Sequence, residues 1–327
     1  MQRPFILIVS LVFASVSTEA HSILTHGAET APLDTTEAVS IGGIEQFISI
    51  QAQDKTHPVL LYLHGGPGES VMQQAESFTK KLQEHFVVVQ WDQRETGKTK
   101  KLNPSPKPIT VERMQEDTYS MVKYLLEKFG REKLYLVGHS WGTYLGFHLA
   151  DQHPQLLYAY VAISPLVDQV ESERMVMNML KEHAKQTSNE RAAKELATVK
   201  VPFESLDDML ISRKWLYTYL NQPVPDSVMV QVRAYLTLWA DTWLAVFNKA
   251  SRHNLFNTLP KVDCPVYFFV GRNDYQTNAT IAERYYHQLR ASRKELFWFE
   301  NSAHDIPSTE PEKMQDILIK KILPDTI

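Results

Sequence analysis

The chain has 327 residues, of which 43% are hydrophobic and 22% are charged, and its formal net charge is -4. These values are ordinary for a globular protein, and so small an acidic charge gives no reason to expect nucleic acid or an anionic membrane as a partner. Cys264 is the single cysteine, so neither an intramolecular disulfide nor a cysteine metal cluster can form. The length suits one α/β core that carries an insertion.

The first twenty residues have the order of a secretory signal peptide. A lone Arg3 precedes an apolar run from Phe5 to Val16, and a polar stretch ends at Ala20. The apolar run is too short to span a bilayer comfortably. We therefore predict a signal peptide over residues 1–20, with cleavage near Ala20 and export to a periplasm or the medium. In a eukaryotic secretory route, Asn278 would lie in a glycosylation sequon.

Short apolar runs alternate with helical patterns along residues 36–165 and again along residues 260–327. Residues 39–53 alternate around two glycines and predict a two-stranded hairpin. Residues 58–63 are apolar throughout, as in a strand buried within a parallel sheet. Residues 110–129 carry apolar side chains at helical spacing. This alternation predicts an α/β core with a doubly wound, mostly parallel sheet.

Between the two parts of this core, residues 166–259 show a charged, Met-rich helical pattern without a clear strand, which predicts an inserted helical cap. Some of its apolar residues are spaced three or four apart and form one helix stripe: Val228, Val232, Tyr235, Trp239, Trp243 and Phe247. We expect the stripe to pack in the cap interior rather than to stack on a substrate. Glu204, Asp207 and Asp208 are expected to be a solvated helix start.

The chain is organised around residues 133–146, where an apolar strand stops at Ser140 and turns into a helix rich in small residues. Gly138 and Gly142 flank the serine in a Gly-x-Ser-x-Gly pattern. In a nucleophile elbow, such glycines let a strained turn lie against the neighbouring strand and helix, and the turn lifts the hydroxyl clear of the sheet. The context therefore predicts that Ser140 is a nucleophile; the alternative is a buried structural serine.

Two residues later in the chain complete a catalytic set. Asp274 follows an apolar strand at residues 264–270, and His304 comes just after the last predicted strand at residues 295–300. The order Ser, Asp, His is the one that α/β-hydrolases use. We expect His304 to accept the Ser140 proton and Asp274 to orient the imidazole. The alternative for His304 is a solvated loop histidine.

Three motifs carry a resemblance to a known family. They are His-Gly-Gly-Pro-Gly at residues 64–68, Trp-Asp-Gln-Arg at residues 91–94 and Gly-His-Ser-Trp-Gly at residues 138–142. In order and spacing they resemble the prolyl aminopeptidase branch of the serine α/β-hydrolases. The glycine loop is the most specific of the three, because many hydrolases have the serine elbow and few have this loop.

The resemblance is best over residues 39–166 and resumes over residues 264–306. Two positions depart from the family pattern: Glu69 follows the glycine loop, where another small residue is usual, and Glu95 follows Asp-Gln-Arg, where glycine is usual. Both departures concern the substrate more than the chemistry.

The resemblance implies an α/β-hydrolase fold and the release of an N-terminal residue, often proline or another small residue, through an acyl-enzyme on Ser140. It also implies that the backbone N–H of Gly66 joins that of Trp141, which follows the nucleophile, in an oxyanion hole. Neither a metal nor an organic cofactor is implied.

An aminopeptidase must place a carboxylate near the substrate's ammonium group, because an unpaired charge in a desolvated pocket is costly. The tryptophan-glutamate cap signature of the family is not evident, which leaves Glu204, Glu69 and Asp241 as candidates, in that order. The alternative enzyme is an esterase, lactonase or amidase acting on a small acyl compound. A catalytically dead binding protein would be expected to have lost a residue of the set, and this chain has all three.

Overall fold

The structure, a computed structural model, describes residues 32–103 and 105–326, so the predicted signal peptide lies outside the described residues. The strands are β1 Leu33–Ile41, β2 Ile44–Ala52, β3 Val59–Leu63, β4 Val87–Asp92, β5 Leu134–His139, β6 Leu157–Ile163, β7 Lys261–Val262, β8 Val266–Gly271, β9 Arg290–Ala291 and β10 Lys294–Phe299. Eight of them form one sheet in the order β1-β2-β4-β3-β5-β6-β8-β10, and β7 pairs with β9.

The sheet is parallel from β4 to β10, and the hairpin β1-β2 adds an antiparallel edge. Every residue of β3 and β4 is buried, as the continuous apolar sequence of β3 predicts; in β4 the polar Gln90 and Asp92 are buried with the rest. The hairpin turns at Gly42 and Gly43, whose φ angles of 58° and 80° favour glycine. Its first strand begins at Leu33, earlier than the predicted residue 39.

The helices are α1 Ala75–Thr79, α2 Gly97–Leu102, α3 Val111–Phe129, α4 Trp141–Gln152, α5 Gln169–Gln186, α6 Glu190–Thr198, α7 Leu206–Tyr219, α8 Asp226–Ser251, α9 Leu255–Thr258, α10 Ala279–Gln288, α11 Ile306–Thr309, α12 Pro311–Ile317 and α13 Leu323–Thr326. Short 3₁₀ turns occupy Lys81–Glu84 and Pro154–Leu156, and a π-helical turn occupies Leu318–Ile322. Among them, α3 begins at the Thr110 cap and ends at Gly130 in the left-handed conformation, as its sequence pattern predicts.

Alternate residues of the central strands face two apolar layers. Leu61 joins a cluster with Met114 of α3 and Leu145 of α4 on one side of the sheet. Leu60 joins a second cluster with Phe78 of α1 on the other side. The result is a sheet covered by helices on both faces, which is the doubly wound α/β-hydrolase architecture.

Helices α5 to α9 lie between β6 and β7 and have their own apolar cluster, with Leu180 of α5, Leu196 of α6 and Leu216 of α7. The helix α7 begins with a capping box in which the Ser205 hydroxyl and the Asp208 carboxylate bind each other's backbone N–H groups. Within residues 32–103 and 105–326, no helix combines the length and apolar character needed to cross a membrane.

The strand order determines where the site lies. In the sheet β3 lies beside β5, and the chain passes from β3 to β4 on one side and from β5 to β6 on the other, so the loops after β3 and β5 turn away from each other. Ligands of open α/β sheets bind in the crevice at such a switch point, at the carboxyl ends of the strands. The loop at residues 64–68 follows β3 directly and Ser140 follows β5 directly, so both lie at this crevice.

Candidate active site

Ser140 lies in a sharp turn between β5 and α4, with φ and ψ angles of 51° and -115°. A Cβ at Gly142 would lie 2.1 Å from the Leu63 carbonyl oxygen, and one at Gly138 would lie 2.6 Å from the Gly142 carbonyl oxygen. Only glycine allows both approaches, because real Cβ atoms do not come so close to the backbone. This strained strand-to-helix turn is the geometry of a nucleophile elbow.

The structure brings the three predicted catalytic residues together. His304 Nε2 lies 2.9 Å from Ser140 Oγ, and His304 Nδ1 lies 3.0 Å from Asp274 Oδ2. Nδ1–H therefore donates to the carboxylate, which leaves Nε2 to accept the serine proton. The arrangement provides an activated hydroxyl, a base and a group that orients the base.

Asp274 is held as a carboxylate. Burial alone would raise its pKa, but the charge and hydrogen bond of His304 and the two N–H and O–H donors of Thr277 outweigh burial and keep the pKa well below its usual value. Thr277 Oγ1 donates to Oδ2 at 2.8 Å, and the backbone N–H groups of Gln276 and Thr277 donate to Oδ1 at 2.9 and 3.0 Å. These donors also fix the carboxylate's orientation toward His304.

Backbone donors suited to an oxyanion lie beside the serine. Trp141 is the first residue of α4, so its N–H has no acceptor within the helix. In the loop after β3, Gly66 has a φ angle of 109°, and no acceptor for its N–H is found among the described residues. Gly66 lines the same cavity as Ser140, and Trp141 follows that serine directly in the chain.

Gln93 joins the three sequence motifs, a role that the sequence alone did not predict. Its backbone N–H donates to His64 Nε2, its side-chain amide donates to the His64 carbonyl oxygen, and its Oε1 accepts from Trp141 Nε1 at 3.2 Å. Because His64 Nε2 accepts, Nδ1–H donates to the Gly65 carbonyl oxygen, at 2.8 Å. The glycine loop and the elbow are therefore braced against each other through one side chain.

The Arg-Glu pair that follows Gln93 is structural. Arg94 is buried and donates two hydrogen bonds to Asp117, with Nε lying 2.7 Å from Oδ2. Glu95, which replaces the usual glycine, adopts a φ angle of 57° and accepts a hydrogen bond from the Ser105 backbone N–H. The left-handed conformation explains why glycine is favoured at this position.

A cavity of about 1030 Å³ opens above Ser140 and His304. Its floor includes the glycine loop, and most of the side chains on its far side, from α7, α8 and the segment between them, are apolar. A volume of this size is at the upper end of the range for pockets that bind small ligands.

Two carboxylates face this cavity near the predicted base, Glu69 and Asp305. The Glu69 side chain keeps contact with solvent inside the cavity, but enclosure by protein raises its pKa, the Asp305 charge raises it further, and His304 acts in the opposite direction. Among the described residues, no lysine or arginine forms an ion pair with Glu69 or Asp305. The cavity therefore carries uncompensated negative charge beside His304.

The other predicted substrate-binding acids do not reach the cavity. Glu204 pairs with Lys200 in solvent, with the two side chains 62% and 66% exposed, because it precedes the capping box of α7. Asp241 is exposed on α8 and does not line the cavity. The predicted order is corrected accordingly: Glu69, the second candidate, is the one of the three that faces the site.

The prediction that the α8 stripe packs in the cap interior holds for part of it, because Trp239 and Phe247 pack against the apolar cluster of the cap. These two residues also line the cavity, together with Val228, Val232 and Tyr235. Trp239 Nε1 donates to the Pro67 carbonyl oxygen at 2.7 Å. Trp243 is buried against Gly68, where a Cβ would lie 2.2 Å from its Nε1.

The described residues contain no group of three or more His, Cys, Asp or Glu side chains placed to hold a metal ion. Cys264 is buried, and burial raises the pKa of its thiol to about 12, so it is not a competing nucleophile.

The fold and the elbow define the class of protein, and comparison with known proteins agrees. Residues 58–311 match the model of the alpha/beta hydrolase fold family, so the chain belongs to the α/β-hydrolases.

Within that family, its relatives include peptidases. The chain is 30% identical over 302 residues to a protein named probable aminopeptidase YbaC from Bacillus subtilis, an alignment that covers 86% of this chain and 93% of the relative. It is 23% identical over 265 residues to a proline iminopeptidase from Lactobacillus helveticus, covering 78% and 87%. The crystal structure of a Mycobacterium smegmatis proline iminopeptidase superposes with a TM-score of 0.62 at 17% identity, covering 89% and 99%.

Proposed function

We propose that this protein is a serine aminopeptidase that releases the N-terminal residue of peptides, with proline or another small residue as the first candidates. The observation that carries the proposal is the pair of uncompensated carboxylates, Glu69 and Asp305, in the cavity that also holds Ser140 and His304. A free ammonium group is the substrate feature that this charge would recognise.

The reaction follows from the hydrogen bonds of the site. Ser140 Oγ attacks the carbonyl carbon of the first peptide bond while His304 Nε2 takes its proton, and Asp274 stabilises the resulting imidazolium. The oxyanion that forms would accept hydrogen bonds from the N–H groups of Trp141 and Gly66, and donors of this kind are worth about 3 kcal/mol each.

The tetrahedral intermediate then breaks down, and the two products leave one after the other. His304 returns its proton to the leaving amine, the C–N bond breaks, and the first residue remains as an ester on Ser140. A water molecule, deprotonated by His304, attacks this ester; the ester C–O bond breaks, His304 gives the proton to Ser140 Oγ, and the free amino acid leaves. After both steps, Ser140 and His304 are back in their starting protonation states.

The experiment compares a free-amine prolyl or alanyl arylamide with its N-acetylated form. Acetylation removes the ammonium charge and leaves the carboxylates without their partner, so we expect kcat/KM to fall by about 100-fold or more. Equal rates on the two compounds would reject the aminopeptidase.

An esterase, lactonase or amidase is the second candidate, and the apolar lining of the far side of the cavity favours it. An acyl chain needs apolar walls and no carboxylate. Faster cleavage of simple acyl esters than of any free-amine arylamide would support this candidate.

A further inference from the structure

The cavity is much larger than a proline or an alanine side chain. Its volume of about 1030 Å³ is at the upper end of the range of about 300–1000 Å³ that encloses a drug-sized ligand. A side chain of one to three carbons would leave most of this space to water against apolar walls, and apolar surfaces are stabilised when a ligand replaces that water.

The wall supplied by the cap is apolar over most of its area. It includes Met209, Leu220, Met229, Val232, Leu236 and Trp239, which we call the cap wall. Two of these are methionines, whose unbranched thioethers adapt to ligands of different shape. The cap wall thus fits a bulky apolar group without demanding one shape.

The helix that carries much of the cap wall has little other packing. The buried residues of α8 are Trp243, Val246, Ala250 and Ser251, all in its second half, so residues 226–242 include none. The inner face of residues 226–242 meets the cavity, and among these residues only Trp239 also packs against the apolar clusters of the described structure. An apolar occupant is the partner that this face lacks in the described residues.

The charges of the cavity fix the orientation of such an occupant. Arg213 and Lys214 line the cap side, but Arg213 is paired with Glu173 and Lys214 Nζ lies 2.7 Å from Glu195. Their charges are already compensated, which gives a substrate carboxylate no free partner there. The uncompensated charge is at Glu69 and Asp305, so the ammonium group belongs at that end.

We infer that the site prefers peptides whose first residue is bulky and apolar, such as leucine, methionine or phenylalanine, over those that begin with proline or alanine. The inference rests on the proposed aminopeptidase function and revises its substrate class, replacing the proline or small first residue that the family resemblance implies with a bulky apolar one. The ammonium group lies at Glu69 and Asp305, the carbonyl carbon at Ser140, and the side chain against the cap wall.

The test is a panel of free-amine arylamides of proline, alanine, leucine, methionine and phenylalanine. We expect kcat/KM for leucine and phenylalanine to exceed that for alanine and proline by at least about tenfold, since one methylene in an apolar pocket discriminates by about 10-fold or more. A panel led by proline or alanine overturns the inference and leaves the aminopeptidase standing. Cleavage of acyl esters alone rejects the aminopeptidase, and the inference with it.

Two leucines of α8 provide a matched pair of variants. Leu236 lines the cavity, whereas Leu238 is 70% exposed and does not. Leu236→Ala should lower the ratio of kcat/KM for phenylalanine to that for alanine by at least fivefold, and Leu238→Ala should leave this ratio unchanged. Equal ratios in both variants and the wild type would show that the side chain of the substrate's first residue does not contact the cap wall, and would overturn the inference. Because each ratio is internal to one variant, partial loss of folded protein does not alter it.

Discussion

His139 donates a hydrogen bond from Nε2 to the main-chain carbonyl oxygen of His304, at 3.1 Å. A carbonyl oxygen only accepts, so the proton of the neutral imidazole must be on Nε2. Burial and then the His304 charge lower the pKa of His139 to about 4, which keeps it neutral near pH 7. Ser164 Oγ donates to the same carbonyl oxygen at 2.8 Å. Two side chains from neighbouring strand ends therefore hold the backbone of the expected base.

Removing either donor should misplace His304 without unfolding the protein. We expect His139→Leu and Ser164→Ala each to lower kcat by about fivefold to tenfold, the equivalent of one hydrogen bond, with a smaller change in KM. His139→Gln, whose amide can still donate, should retain more of kcat than His139→Leu. Steady-state kinetics with a thermal-unfolding control would measure this. Full kcat in His139→Leu would show that the hydrogen bond has no positioning role.

The catalytic set should behave as a unit. Ser140→Ala and His304→Ala are each expected to lower turnover by at least about 10⁴-fold, since removing one member of such a set costs nearly as much as removing all. Asp274→Asn should cost somewhat less, chiefly through a misoriented imidazole. Circular dichroism should report a folded protein in each case. Asp305→Asn serves as the comparison: if it were the most severe acid variant, Asp274 would be the wrong partner.

Glu69 should determine the affinity for free-amine substrates. Glu69→Gln is expected to lower kcat/KM for them by about 10-fold to 100-fold, the range of a hydrogen bond to a charged group, and to leave acyl-ester cleavage nearly unchanged. Glu204→Gln and Asp241→Asn are the controls, because neither side chain reaches the cavity. A loss in a control variant equal to that in Glu69→Gln would remove the role given to Glu69.

The pH dependence should reflect the same carboxyl. Because its pKa is raised, Glu69 becomes neutral at a higher pH than an ordinary glutamate, and free-amine selectivity should decline as the pH falls through this raised pKa. The ratio of arylamide to ester kcat/KM isolates this effect, since both reactions use the same Ser140, His304 and Asp274. Asp274, with its lowered pKa, stays ionised throughout. The acid decline of the ratio should disappear in Glu69→Gln, and its persistence there would assign it to another group.

Export is a separate prediction, based on residues 1–20 of the sequence. The natively produced protein should begin near His21. Intact-mass measurement of the protein from its own cells decides the matter, with unprocessed recombinant protein as the mass standard. A chain that retains Met1 through Ala20 would contradict cleavage.

Local patterns in the sequence predicted the strands, the elbow and the residues at strand ends, because burial and turn geometry act over a few neighbouring residues. The sequence could predict that Asp274 and His304 lie close together, because each follows a parallel strand and such strands end at one edge of the sheet. The path of the cap could not be predicted in this way. Glu204 led the candidates as an acid early in the cap, yet the local capping geometry turns it to solvent.

Contacts between segments that are far apart in the chain could not be predicted from the sequence either. His139 belongs to the elbow motif, but no pattern in the sequence indicates its hydrogen bond to His304, and none indicates the place of Asp305 in the cavity. These contacts join segments that are far apart in the chain, so no spacing along the chain indicates them. The α8 stripe shows the same limit: its period predicts an apolar face but not whether protein or a cavity lies opposite.

The hydrogen bond from Trp239 to Pro67 ties the cap helix to the loop that contains Gly66. The packing of Trp243 on Gly68 adds a second attachment to the same loop. Any movement of α8 that widened the mouth of the cavity would therefore pull on the loop that contains Gly66. If that loop holds the oxyanion, as we propose, entry of a substrate and stabilisation of the oxyanion would compete.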